Sequence, residues 1–97
     1  MAQIGTFTRG EDGFVGVIKT LSLNVKARFV LAEKDSEKAP DLRAFVGPIE
    51  IGAGWKRTAK ETGREYFSMK LDDPSFPSPI YASLVAVEDG YALIWSR

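Results

Sequence analysis

Five side chains in the middle of the chain combine ring and cation chemistry. Trp55, Lys56 and Arg57 stand in IGAGWKRT, and Tyr66 and Lys70 stand in EYFSMKL. Indole and phenol rings stack on flat groups, and ammonium and guanidinium groups attract anions. Together they are the equipment of sequence-tolerant single-strand nucleic-acid binders, in which each stacked base is worth roughly 1–3 kcal/mol. The plainer reading is that Trp55 closes one end of a core, since large aromatics are buried on average. The cations would then be a solvated surface.

Other chemistry has little to work with. The chain has no histidine and no cysteine. It therefore lacks the commonest metal ligand, the usual acid–base group near neutral pH and any thiolate site. Serines occur without histidine, and no lysine is marked as the partner a Ser–Lys pair needs. Asp72-Asp73 before Pro74 is a thin basis for a hard cation. A carboxylate bonding backbone amides at a turn explains it better. GAGWKR at 52–57 begins like a dinucleotide fingerprint, but Arg57 occupies the third glycine's place and no βαβ unit surrounds it. We expect no enzyme, no catalytic residue, no metal and no cofactor.

The elements that must position the five residues read as β almost throughout. Ile4 to Arg9 and Phe14 to Thr20 are strands joined through Asp12-Gly13, which suits a tight turn. From Leu21 to Leu31 the odd positions are apolar and the even ones mostly polar, the period-two pattern of a half-buried strand. Leu42 to Val46 is a strand ended by Gly47-Pro48. Ile49 to Ile51 is a short piece, with Gly52 and Gly54 separating it from Trp55 to Thr58. That last piece forms a hairpin with Glu65 to Leu71 across AKETGR. In 65–71, Phe67, Met69 and Leu71 share one face, which leaves Tyr66 and Lys70 on the other. DDPSFPSP at 72–79 holds three prolines. It belongs outside any central strand, with Phe76 tucked beneath it. Ile80 to Val87 and Tyr91 to Ser96 form the last hairpin around a second Glu-Asp-Gly turn. The expectation is an all-β fold, a small antiparallel barrel or sandwich of about seven to eight short strands. The alternative is an α+β fold with one short helical turn within 58–62.

A chain of 97 residues suits a single domain, 1–97. Its start lacks the charged and apolar regions of a signal peptide. No apolar run approaches the roughly 20 residues of a membrane-spanning helix. A cytoplasmic protein with no membrane partner is expected. Thirteen Lys and Arg balance thirteen Asp and Glu. Nucleic-acid binders are usually basic overall, so neutrality leans toward a protein partner. The charge is uneven along the chain. Residues 53–70 carry Lys56, Arg57, Lys60, Arg64 and Lys70 against Glu61 and Glu65. Residues 71–97 carry Asp72, Asp73, Glu88 and Asp89 against Arg97.

The opening MAQIGTFTRGEDGFVGVIKTL, the central IGAGWKRT and the closing EYFSMKLDDPSFPSPIYASL and GYALIWSR closely resemble the DUF736 family. The resemblance spans essentially the whole chain. The family comprises small bacterial proteins of unknown function, often encoded on plasmids or near conjugative-transfer genes. It implies a mobile-element context and assigns no catalytic residue, cofactor or partner.

Two functions follow as expectations. The first is a non-enzymatic binding or accessory module linked to mobile elements, built around Trp55, Lys56, Arg57, Tyr66 and Lys70, with a protein or nucleic-acid partner. The second is a single-stranded DNA or RNA binder with an OB-like barrel. An open sheet edge would also offer a route to a homo-oligomer or to pairing with another chain.

Overall fold

The computed structural model describes residues 2–21, 23–33 and 36–95. Eight strands follow one another along the chain: β1 (Ala2–Gly10), β2 (Gly13–Lys19), β3 (Asn24–Leu31), β4 (Leu42–Val46), β5 (Ile49–Thr58), β6 (Glu65–Leu71), β7 (Ile80–Val87) and β8 (Gly90–Trp95). Each pairs antiparallel with the next, and β8 returns to pair with β1, so the sheet closes into a barrel. The fold is all-β, and the α+β alternative falls away. What remains of the helical turn is a single bond from the Gly63 N–H to the Ala59 carbonyl, 2.8 Å long.

Alternation of side chains about each strand sets the inside of the barrel. Phe7, Phe14, Ile18, Phe29, Leu42, Met69, Leu71, Leu84 and Leu93 are fully buried there. Phe7 and Phe29 stack with centroids 4.4 Å apart, and Phe14 meets Tyr91 edge-on at 4.7 Å. No polar or charged residue is buried among the described residues. The interior is thus a packed core of side chains, as small barrels of this strand number allow.

Four expectations need correction. β5 is one strand of ten residues, not two pieces broken by glycine. Gly52 and Gly54 lie in the ladder opposite Leu71 and Met69. They face the interior, where a side chain would collide with its neighbours: a Cβ on Gly54 would sit 2.3 Å from the Met69 sulfur. β3 begins at Asn24, because Thr20 and Leu23 close a tight turn before it. The Thr20 N–H donates to the Leu23 carbonyl at 2.7 Å, and Leu21 is left fully exposed. Closure of β1 on β8 also leaves no edge strand, so pairing through a free edge is not available to this fold. Nor is the barrel OB-like: an OB-fold is a five-stranded Greek key, whereas these eight strands form a simple meander.

The meander defines two ends. One rim holds the β1–β2, β3–β4, β5–β6 and β7–β8 connections, and the other holds β2–β3, β4–β5 and β6–β7. Both Glu-Asp-Gly turns lie on the first rim. Each ends in a glycine at positive φ, Gly13 at 144° and Gly90 at 149°, a backbone that L side chains rarely adopt.

Candidate functional site: an aromatic and cationic barrel wall

Strand register decides which of the five residues share a surface. β5 and β6 pair Ala53 with Lys70, Trp55 with Ser68, Lys56 with Phe67 and Arg57 with Tyr66. Met69 and Leu71 are buried and Phe67 packs against the core. Trp55, Arg57, Tyr66 and Lys70 therefore stand on the outer wall. Lys56 does not join them. It lies on the opposite side of the strand at the barrel mouth, with its Nζ 3.0 Å from Glu65 Oε2.

Trp55 neither plugs the barrel nor stands free. It is half-buried, and its indole N–H donates to the Lys38 carbonyl at 3.0 Å. The segment before β4 thus pins the ring against the wall. Asp41 helps to hold that segment, accepting the Lys56 backbone N–H at 2.8 Å. Lys70 lies beside its partner on β7, Tyr81, with its Nζ 6.0 Å from the ring centroid, and Tyr81 is 57% exposed. The surface accordingly runs from Arg57 and Tyr66, through Trp55, to Lys70 and Tyr81.

The outer wall continues where sequence reasoning placed no site. On β3 and β4 the guanidinium carbons of Arg28 and Arg43 lie 5.0 and 5.5 Å from the Phe45 ring centroid. Arg28 also donates to the Gly47 carbonyl at 3.1 Å. Arg43 grips Glu50 with two bonds of 2.8 and 2.6 Å. The hydrogen bonds and charge of that pair hold the Glu50 carboxyl below, and the Arg43 guanidinium above, their ordinary values. The polar positions of the 21–31 alternation were the signal for this face, since Lys26 and Arg28 are among them. Phe45 carried no such signal.

Outward strand positions across β2–β6 carry Lys19, Lys26, Arg28, Arg43, Arg57 and Lys70 against the single carboxylate Glu50, which Arg43 neutralises. The acids gather elsewhere. The connections of the first rim hold Glu11, Asp12, Glu33, Glu37, Asp41, Glu61, Glu88 and Asp89 against Lys38, Lys60 and Arg64 among the described residues. Most of the charge is thus divided between a basic wall and an acidic first rim, while Asp72 and Asp73 lie on the second rim.

Asp72 and Asp73 form no cluster. Among the described residues no three acidic, histidine or cysteine side chains are grouped to hold a metal ion. Asp73 instead shapes its turn, accepting the Ser75 N–H at 2.9 Å and the Ser75 hydroxyl at 2.5 Å. Those bonds hold its carboxyl below the ordinary range.

A family profile described as "Protein of unknown function (DUF736)" matches residues 3–97, nearly the whole chain. The chain belongs to the DUF736 family. No curated protein and no solved structure matches it. The functional reading of this DUF736 chain therefore starts from the wall itself.

Proposed function

We propose that this DUF736 chain is a non-enzymatic binding module whose outer wall takes single-stranded nucleic acid. The observation that carries the reading is the segregation just described. Six outward cations face one neutralised carboxylate, with Phe45, Trp55, Tyr66 and Tyr81 among them. Cations that track a phosphate backbone and rings that accept bases are the two requirements of sequence-tolerant strand binding. Neutral composition does not oppose it, because most of the acids sit on the first rim; Asp72, beside Trp55 and Lys70, is the acid nearest the strand's path. An accessory role in mobile elements, as the family context implies, belongs to the same proposal.

The test is fluorescence anisotropy of a labelled single-stranded oligonucleotide with the full chain. Binding is expected at about 50 mM salt and should fall steeply toward about 200 mM. If all six cations meet phosphates, the log–log salt slope approaches roughly −4 for a single strand. Absence of binding at the lower salt rejects the reading. Tighter binding to anionic lipid vesicles than to any oligonucleotide would also reject it.

A protein partner is the second reading. It is favoured by apolar side chains left exposed on the same wall and near it, Val15 at 53% and Ile49 at 57%. Capture from the host with and without nuclease separates the two. A partner retained after nuclease treatment, with no oligonucleotide affinity, supports the protein reading.

A further inference from the structure

At the second rim residues 75–79 fold against the barrel end and border a partly open cavity of about 480 Å³. This lies within the roughly 300–1,000 Å³ usual for small-molecule sites, which often occupy barrel mouths. Leu23, Phe76, Pro79, Tyr81 and Trp95 supply its apolar and aromatic sides, and Thr20 and Ser78 bring hydroxyls. No charged side chain lines it among the described residues.

The cavity wall is held in shape before any ligand arrives. Asp73 accepts two bonds from Ser75, and the Phe76 N–H donates to the Asp73 carbonyl at 2.8 Å. Phe76 packs on the core. Pro74, Pro77 and Pro79 restrict the backbone between. Tyr81 belongs both to this cavity and to the outer wall, where Lys70 lies over its ring.

We propose that the cavity receives one unstacked nucleobase of a strand whose phosphates run along Lys70 and Arg57. The inference rests on the single-strand reading of the wall. A ring-sided slot with hydroxyls and no charge suits a flat, neutral, hydrogen-bonding ring. It repels an ionised group, which would lose its hydration without gaining a partner. Lys70 lies where the cavity ends, beside Tyr81, and Asp72 lies close to it, so the backbone passes the cation as the base enters the cavity.

The chain has two tryptophans, Trp55 on the wall and Trp95 in the cavity. Trp55→Phe therefore leaves Trp95 as the sole indole reporter. With that variant, a labelled oligothymidine is titrated, following anisotropy for binding and indole emission for the cavity. An abasic strand of equal length is run beside it. The expected result is a change in Trp95 emission with oligothymidine only, and roughly tenfold weaker binding of the abasic strand. Ser78→Phe, made in the otherwise unmodified chain on an exposed loop residue that lines the cavity, places a ring at the cavity to obstruct the base. It should bring oligothymidine affinity down to that of the abasic strand and leave abasic binding as it was. Oligothymidine binding with Trp95 emission unmoved, or with Ser78→Phe indistinguishable from the unmodified chain, overturns the cavity site and leaves the wall intact. Failure of both strands to bind the unmodified chain at low salt overturns the wall reading, and the cavity site with it.

Discussion

At the scale of single residues, the contrast between Lys56 and its neighbours is the sharpest guide. Arg57 and Lys70 point outward beside rings, whereas Lys56 is turned to the mouth and engaged by Glu65. Arg57→Ala and Lys70→Ala should each weaken oligonucleotide binding and each reduce the salt slope by about 0.7, the single-strand share of one phosphate contact. Lys56→Ala should leave the slope unchanged, as the same anisotropy titrations will show. The sequence made the outward side of Tyr66 and Lys70 legible because Phe67, Met69 and Leu71 mark the buried face of β6. Lys56 was expected beside Trp55 and Arg57, although three consecutive strand residues cannot share a face. How far Trp55 is covered was not legible, since its bond to the Lys38 carbonyl joins segments seventeen residues apart.

Among the elements, β4, β6 and β7 have the limits that their apolar alternation and flanking turns suggested. β5 did not, because Gly52 and Gly54 read as breakers. They are spacing devices, as is Gly16 on β2. A Cβ on Gly16 would lie 2.0 Å from the Thr6 carbonyl oxygen and 2.8 Å from the Phe7 ring. Gly16→Ala should cost about 1–3 kcal/mol or more, as overpacking does, measured by urea unfolding. Gly54→Ala meets the flexible end of Met69 and should cost less. The 72–79 connection adds a pH dependence. The bonds from Ser75 lower the folded-state pKa of Asp73. The stability this contributes is present above the ordinary carboxylate range and is lost as pH falls through the depressed value. Urea midpoints compared at about pH 7 and about pH 3 should therefore converge in Asp73→Asn more than in the parent. Glu50, lowered by Arg43, contributes with the same sign, and Glu50→Gln isolates its share.

For the molecule as a whole, an all-β fold was legible, but closure was not. Local alternation says which face is buried and nothing about whether the last strand meets the first. The charge map had the same obscurity, because composition sums to zero until the register shows which cations lie outward. A single core makes the barrel one cooperative unit, so Phe29→Ala, which removes the stacking partner of Phe7, should destabilise it by about 3–5 kcal/mol. Heat or urea should still unfold it in one transition seen alike by circular dichroism and tryptophan emission.

Every strand pair in the meander joins sequence neighbours except one: β1 and β8, where Ala2 pairs with Trp95 across almost the full chain. That seam demands the longest loop closure and should be the slow step in folding. A circular permutant that links the two ends and opens the chain at Gly47-Pro48 turns the seam into an ordinary hairpin and transfers the slow step to β4 and β5. Mutations along β1 and β8 should then lose their hold on the refolding rate, and those along β4 and β5 should acquire it.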